Sequence, residues 1–323
     1  MTEFEIRVLG DDEIITEDGF YQLPLERHHS QPCDGPSVTS GVLRRMEMET
    51  PADVWAFHQL NPDRWDSIDT PAMKLGRAMA ALVEGGLDEL KRFFMVLSAT
   101  KPNRPTEAQL LAYENGSATT AGIRSVEYWA RVEADGREVL TRDEYMLLAN
   151  MGSVLMKDPA ARAALSGTPE LTMAWRDQAT GLWCLSRPDN TGFSGIIADY
   201  KKVNTSGRPF NASVCDRKTT DGGYDMQMAF ASEGFHHLTG EWPQSVGLIF
   251  QTDKPPHHVI PLPIEEEDLT IAMFRNDRSR KLFAECLESG DWWGPSQHIV
   301  SYRRPEWQRK KLLEEMQIAG VAL

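Results

Sequence analysis

Apolar positions recur at helical spacing through the first half of the chain and change to short runs and alternations in the second. In the second half, Leu171 to Trp175, Leu182 to Ser186 and Ile196 to Tyr200 are apolar or alternating segments parted by turn residues, the pattern of strands. Val246 to Thr252 and His258 to Leu262 predict a further strand pair around Pro255-Pro256. Tyr224 to Leu238 predicts a helix, and Glu265 to Glu288 a long amphipathic one.

The first half reads as a series of helices. One runs through Val42-Leu43-Arg44-Arg45-Met46, opened at Ser37-Val38-Thr39-Ser40 with Ser37 or Thr39 as its cap. A second starts at Pro51, and a third spans Met73 to Val83 and breaks at Gly85-Gly86. Others start at Thr106-Glu107, cover 121 to 132, run from Tyr145 to Met156 behind a Thr141-x-x-Glu144 capping box, and span Asp158 to Leu165. Phe93 to Leu97 and Arg137 to Leu140 are extended. Residues 1–36, with Pro24, Pro32 and Pro36, read as irregular, and Asn61 to Thr70 and Lys202 to about Asp221 as loops. The tail from Trp292 reads as loop, then a charged helix from Pro305. The pattern predicts an α/β protein in which an N-terminal helical portion packs on a sheet-bearing half. Its segments are an irregular start (1–36), one domain (37–300) and a charged C-terminal helix (301–323).

Composition narrows the class. With 41% hydrophobic residues in 323 positions, a packed core is expected, and no apolar run is long enough to span a bilayer. The start Met1-Thr2-Glu3-Phe4-Glu5 is acidic and unlike a signal peptide, so a cytoplasmic protein without membrane contact is expected. Cys33, Cys184, Cys215 and Cys286 are scattered, which argues against a zinc or iron–sulfur site and for reduced thiols. The net charge of −14 argues against broad, purely electrostatic nucleic-acid binding. Local basic clusters such as Arg44-Arg45, Lys201-Lys202 and Arg309-Lys310-Lys311 are in most cases solvated faces.

The candidate chemistry lies at Arg187-Pro188-Asp189 and Ile196-Ile197-Ala198-Asp199-Tyr200-Lys201. Alternate residues of a strand share a face, so Asp199 and Lys201 point one way and Tyr200 the other. A simple hairpin brings Asp189 alongside Asp199. Two carboxylates on one spot repel unless a cation joins them. A hard divalent ion turns that repulsion into coordination, and a neighbouring lysine can orient or deprotonate a water. That set suits phosphodiester hydrolysis.

The ordered series Glu170-Leu171-Thr172-Met173-Ala174-Trp175, Thr180-Gly181-Leu182-Trp183-Cys184, Arg187-Pro188-Asp189, Asp199-Tyr200-Lys201 and Gln227 resembles the PD-(D/E)XK nuclease superfamily. More closely it is similar to the RecE-like, exonuclease VIII-like phage nucleases. Leu75-Gly76-Arg77-Ala78-Met79 resembles the family's third-helix motif, and Ala284-Glu285-Cys286-Leu287-Glu288-Ser289-Gly290 with Trp292 its C-terminal helix. The resemblance covers roughly residues 30 to 295. It implies a PD-(D/E)XK core, a mixed central sheet flanked by helices. It implies Mg²⁺ or Mn²⁺ on Asp189 and Asp199, with Glu170 as a further acidic ligand or orienter of water and the Tyr200 carbonyl completing the shell. Lys201 then orients the water and stabilises developing charge, and Gln227 positions Lys201 or a phosphate.

Three positions depart from the family pattern. Ala80 stands where relatives carry a metal-ligating histidine, Ala231 where they tend to have a tyrosine, and Lys202-Val203-Asn204 where they continue into threonines. The resemblance implies an ATP-independent exonuclease on linear double-stranded DNA in phage-type recombination. Its implied partners are double-stranded DNA ends, a single-strand annealing protein and further copies in a homo-oligomeric ring. Ala80 and the acidic charge favour a second reading, a catalytically impaired homologue that binds DNA ends or a protein partner. A restriction-type endonuclease is weaker, since no target-recognition segment stands out. The histidine pairs 28–29, 236–237 and 257–258 are neighbours whose side chains point apart, which disfavours chelation. Trp292-Trp293 reads as packing for the last long helix, and Thr219-Thr220-Asp221-Gly222-Gly223 is too short for a phosphate loop.

Overall fold

The computed structural model describes residues 5–66, 68–192, 195–205, 207–296 and 298–321. The acidic start Met1 to Phe4 lies outside them. The chain begins with β1 (Ile6–Val8), β2 (Gly19–Gln22), α1 (Leu25–His29), β3 (Ser37–Thr39), α2 (Ser40–Met48) and α3 (Pro51–Trp55). The helical portion follows: α4 (Pro71–Phe93), β4 (Phe94–Val96), α5 (Glu107–Glu114), α6 (Thr120–Asp135), β5 (Glu138–Leu140), α7 (Arg142–Leu155) and α8 (Pro159–Ala164). Then come β6 (Thr168–Pro169), β7 (Thr172–Arg176), β8 (Trp183–Ser186), β9 (Asn190–Thr191), β10 (Ile196–Val203), α9 (Ala212–Gly222), α10 (Tyr224–Thr239), β11 (Ser245–Thr252), β12 (Val259–Pro263), α11 (Glu266–Ser289) and α12 (Glu306–Ile318).

Among the described residues the strands form two five-stranded sheets, β1-β2-β7-β8-β3 and β12-β11-β10-β9-β6, and a β4-β5 pair. Both larger sheets are mixed: β10 runs parallel to β11 and antiparallel to β9, while β3 runs parallel to β8 and β7 antiparallel to it. Strand alternation sorts side chains between layers. Met173, Trp175 and Cys184 of the first sheet join Ile197, Val203, Leu248 and Phe250 of the second in one core with α2, α10 and α11. Ala198 and Ile249 face the opposite way, into a core with α4, α7 and α8. Ala174, Trp183 and Leu185 close the outer face of the first sheet against Ile15, Tyr21 and Leu23. Helix α10 touches β7, β8, β10 and β11, so it spans both sheets on their shared face.

Several sequence expectations are corrected. The N-terminal segment is not wholly irregular: β1 and β2 extend the first sheet through β7. These strands are only three and four residues long and β1 is largely exposed, so they leave almost no periodic signal. Ser37–Thr39 is a parallel strand beside β8 rather than a helix start, although Thr39 does cap α2 by accepting from the Val42 N–H. The segment after Val203 is not all loop, because α9 forms behind the Asn211 cap and ends at Gly223 in the left-handed region. Its Thr- and Asp-rich sequence disguises it. The break at Gly85-Gly86 is present, with Gly86 at φ 70°, and the helix resumes beyond it to Phe93. The Thr141/Glu144 capping box forms with both of its hydrogen bonds. No helix among the described residues is long and apolar enough to cross a membrane.

Candidate active site

The site is built where β6, β9 and β10 meet. Asn190 pairs with Ala198 on one side and with Pro169 on the other. The next residue on each strand therefore falls in one row: Glu170, Asp189 and Asp199. The Glu170 N–H donates to the Asp189 carbonyl at 3.2 Å, which ties the first two together. The Tyr200 N–H donates to Asp189 Oδ2 at 2.7 Å, which ties Asp189 to β10. N–H and C=O of one strand residue lie on one edge, so the Tyr200 carbonyl faces the same side, beyond the end of β9.

Alternation along β10 then sets the chemistry. Asp199 and Lys201 share the face of Ile197 and Val203, toward α10. Tyr200 points the opposite way, where its hydroxyl donates to Gln251 Oε1 at 2.8 Å, while Gln251 Nε2 donates to the Met151 carbonyl at 2.9 Å. Asp199 is 2% exposed. Its Oδ1 accepts from Gln227 Nε2 of α10 at 2.8 Å. Its Oδ2 is in contact with the Lys201 ammonium, yet no donor meets it with hydrogen-bond geometry. Lys201 Nζ also lies 4.6 Å from the centre of the Tyr224 ring.

Burial pushes Asp189 up to about 7, and the charge of Asp199 adds to the effect, while Lys201 and the Tyr200 N–H pull the other way. Asp189 is enclosed by other groups but keeps some accessible surface, so its desolvation is partial. Arg44 of α2 is held below its usual range by burial, with Asp199 and Tyr224 opposing, and donates to the Gly222 carbonyl at 3.0 Å. The Glu170 carboxylate is turned to Arg187, with which it forms an ion pair. Glu84 of α4 stands within charge range of Glu170 and Arg187, and burial followed by the charge of Glu170 raises it.

All six residues singled out from the sequence, Glu170, Asp189, Asp199, Tyr200, Lys201 and Gln227, lie in this region. Asp189, Asp199, Lys201 and Gln227 interact directly or through charge, whereas the Glu170 side chain is engaged elsewhere. Ala80 is partly exposed on α4, between the buried Met79 and Ala81 and one turn before Glu84. Ala231 is buried in the core one turn beyond Gln227 and offers no polar group. Val203 also belongs to that core, and Lys202 pairs with Asp253 at 3.6 Å. Arg187, Glu84, Arg44 and Tyr224 were not singled out by sequence reasoning as site residues. Arg187 was the most accessible of them, since it is two residues from Asp189.

The donor set suits a hard divalent cation held by two carboxylates. Two neighbouring carboxyls, Asp199 met at Oδ2 by the Lys201 ammonium and Asp189 raised by burial and by the charge of Asp199, are a charge arrangement that a divalent cation would relieve. Among the described residues, no group of three or more His, Cys, Asp or Glu side chains is gathered as a metal cluster. The fit is therefore to Asp189 and Asp199, with the Tyr200 carbonyl on the same edge.

No family sequence model matches the chain, and neither does any curated protein. Solved structures do resemble it. A crystal structure of a "putative exonuclease" from Eubacterium rectale superposes with a TM-score of 0.57 at 14% identity, covering 89% of this chain and 98% of that one. A phage-related exonuclease from Haemophilus somnus 129PT, also 14% identical, covers 59% of this chain and 92% of its own, with a TM-score of 0.30. The mixed α/β fold described above is thus shared, along nearly the whole of both chains, with the Eubacterium rectale protein.

Proposed function

We propose that this chain is a divalent-metal-dependent, ATP-independent deoxyribonuclease that degrades linear double-stranded DNA from its ends. The observation that carries this reading is the pairing of the partly buried Asp189 with the buried Asp199, with Lys201 on the same strand face as Asp199. Asp189 and Asp199 would hold Mg²⁺ or Mn²⁺, and the Tyr200 carbonyl, on the same strand edge as the N–H that meets Asp189, would share it. When bound, such an ion activates water and neutralises charge on the phosphate.

The chain's own residues do the rest. Gln227 fixes the Asp199 carboxylate through Oδ1, while Lys201 meets Oδ2 and would give up that contact to a bound cation. Lys201 Nζ, steadied over the Tyr224 ring, stands where it can orient the attacking water and stabilise charge developing on the phosphate oxygens. Arg44 and Gln227 back Asp199 from the α-helical side. The likeness in fold to a protein described as an exonuclease supports the same reading. Cytoplasmic location, ring assembly and work beside a single-strand annealing protein belong to this proposal as well.

A second reading, a DNA-end-binding homologue with little or no turnover, is favoured by two features. Ala80 supplies no donor on the turn of α4 that precedes Glu84, and the Glu170 carboxylate is paired away from the two aspartates. One assay separates the readings: digestion of linear duplex DNA with Mg²⁺ or Mn²⁺ by wild type and by Lys201→Ala. The expected loss is on the order of 10²-fold or more in turnover, with DNA binding retained. Equal cleavage by the two proteins would remove Lys201 from the mechanism, and no cleavage by wild type would leave the binding reading.

A further inference from the structure

The last helix of the chain stands apart from the cores. Helix α12 (Glu306–Ile318) buries none of its 13 residues, and among the described residues no other helix or strand makes more than a passing contact with it. A helix of this length is marginal in water by itself, because helices in proteins are held mainly by the packing of an apolar face. Such a face is present. Leu312, Met316 and Ala319 recur at helical spacing, with Leu313 beside them. Together with Tyr302 and Val321 they line a cleft of about 720 Å³ whose walls all come from residues 302–321. Trp307 and Ile318, on the same helix, are 72% and 88% exposed. Apolar surface gathered in this way on one segment calls for a protein partner.

The charges of the segment say what that partner is. The N-terminal half carries Arg303, Arg304, Arg309, Lys310 and Lys311 against Glu306 alone. The C-terminal half carries Glu314 and Glu315, with no basic residue from 312 to 321. Within the chain, Arg303 meets Glu306 at 3.8 Å and Lys311 meets Glu315 at 3.9 Å, both pairs well exposed and therefore weak. Arg304 lies over the Tyr302 ring, and Arg309 and Lys310 have no acid partner among the described residues. Two such helices laid antiparallel set the basic half of each against the acidic half of the other, with their apolar stripes face to face. A parallel pair would set like charge against like. Duplex DNA fits less well. Its phosphates suit the basic half, but Glu314 and Glu315 repel them, and Leu312, Leu313 and Met316 stay uncovered.

We infer that α12 is a docking surface for a second copy of this chain, which lays its own α12 antiparallel against it about a two-fold axis. The contact uses the same surface on both copies, so each favourable pairing occurs twice. It closes at two copies and is therefore separate from a ring, which needs two different surfaces on each copy. It does not depend on the nuclease reading. A single pair of short helices buries less than a standard protein–protein interface, so the association is reversible and depends on concentration.

The test is sedimentation equilibrium of the full chain over a range of concentrations, with thermal midpoints recorded for each protein. Wild type is expected to pass reversibly from one copy to two. Leu312→Glu, in the middle of the stripe, should weaken the association about tenfold or more. Its thermal midpoint at a dilution where both proteins are single copies should match wild type, because α12 is no part of the cores. Charge reversal tests the direction of the pairing. Glu314→Lys/Glu315→Lys and Arg309→Glu/Lys310→Glu should each self-associate about tenfold less tightly than wild type or worse, and an equimolar mixture of the two should associate more tightly than either alone. A mixture that gains nothing overturns the antiparallel arrangement. Two-copy species that Leu312→Glu leaves unchanged are made by another surface and overturn the inference. A lowered midpoint of Leu312→Glu at that dilution would mean that α12 packs on its own chain, and overturns it as well. So does a wild type that stays single at every concentration; if Arg309→Glu/Lys310→Glu then loses affinity for a labelled duplex in EDTA, the helix belongs to DNA instead.

Discussion

Replacing Asp189 by Asn should make the metal-free protein more stable at pH 8, although it removes a residue of the candidate site. Burial and the nearby Asp199 raise the Asp189 carboxyl from 3.8 to about 7. Between those values the folded state holds a proton that the unfolded chain has given up. Stability therefore falls as pH rises through the window, and the loss is complete above about 7. A shift of about three units corresponds to roughly 4 kcal/mol as a ceiling. Asp189 keeps some accessible surface, and solvent screening reduces the figure, so a gain of about 2 kcal/mol is expected for Asp189→Asn at pH 8. The asparagine oxygen can still accept from the Tyr200 N–H, so the strand contact survives. Urea unfolding of both proteins in EDTA at pH 4, 6 and 8 measures the difference. The two should nearly coincide at pH 4 and diverge as pH rises. A variant that is less stable than wild type at pH 8, or a difference that does not change with pH, would refute the electrostatic account. Mn²⁺ should reverse the order, since it stabilises only the protein that binds it, by about 2.7 kcal/mol at a hundredfold excess over Kd.

Two further outcomes follow from the packing around the site. Ala80→His should tighten Mn²⁺ binding measured by calorimetry, because the histidine would stand one turn before Glu84, which lies within charge range of Glu170 and Arg187; no gain would mean that α4 presents another face to the aspartates. Gly234→Ala should lower stability by about 1–2 kcal/mol in urea unfolding, since the added methyl would stand 2.5 Å from the buried Trp175 ring, and overpacking outweighs the better helix propensity of alanine.

The site was legible in the sequence because its logic is local. Asp199, Tyr200 and Lys201 sort by alternation alone, and a short return from Asp189 leaves few ways to pair the two segments. Glu170 is different. Its place in the row follows from the β6–β9 register, which is readable only in three dimensions, and its backbone departs from the strand at that residue. Arg187 carried a faint signal, an arginine two positions before a candidate ligand, but its burial did not show in composition. The N-terminal strands were hidden for another reason. Phe20 and Tyr21 point to opposite cores, so β2 buries both faces within four residues and shows neither alternation nor a run. Helix α10 was readable as a segment buried on nearly every side from Met226 to Phe235, and α11 as a long charged helix whose buried stripe, Ala272, Asn276, Ser279, Phe283 and Cys286, recurs at helical spacing.

The acidic balance of the chain bears on how it would hold DNA. Every cation identified around the site already has a partner inside the protein: Lys201 meets Asp199, Arg187 meets Glu170, Lys202 meets Asp253, and Arg44 meets the Gly222 carbonyl. A polyanion approaching the aspartate row therefore meets carboxylates before it meets free positive charge. Binding at the site should then depend on the divalent ion to neutralise Asp189 and Asp199 and to bridge to a phosphate oxygen. Fluorescence anisotropy with a labelled duplex end tests this directly, using Ca²⁺ as an ion that occupies oxygen sites at somewhat greater distance. Affinity should rise by about tenfold or more from EDTA to Ca²⁺, equivalent to roughly 1.4 kcal/mol. In Asp199→Asn the ion should make little difference, and the EDTA affinity should exceed that of wild type because one repelling charge is gone. Equal affinity of wild type in EDTA and Ca²⁺ would show that DNA is held by cations elsewhere on the chain, the basic residues 303–311 being the first to test.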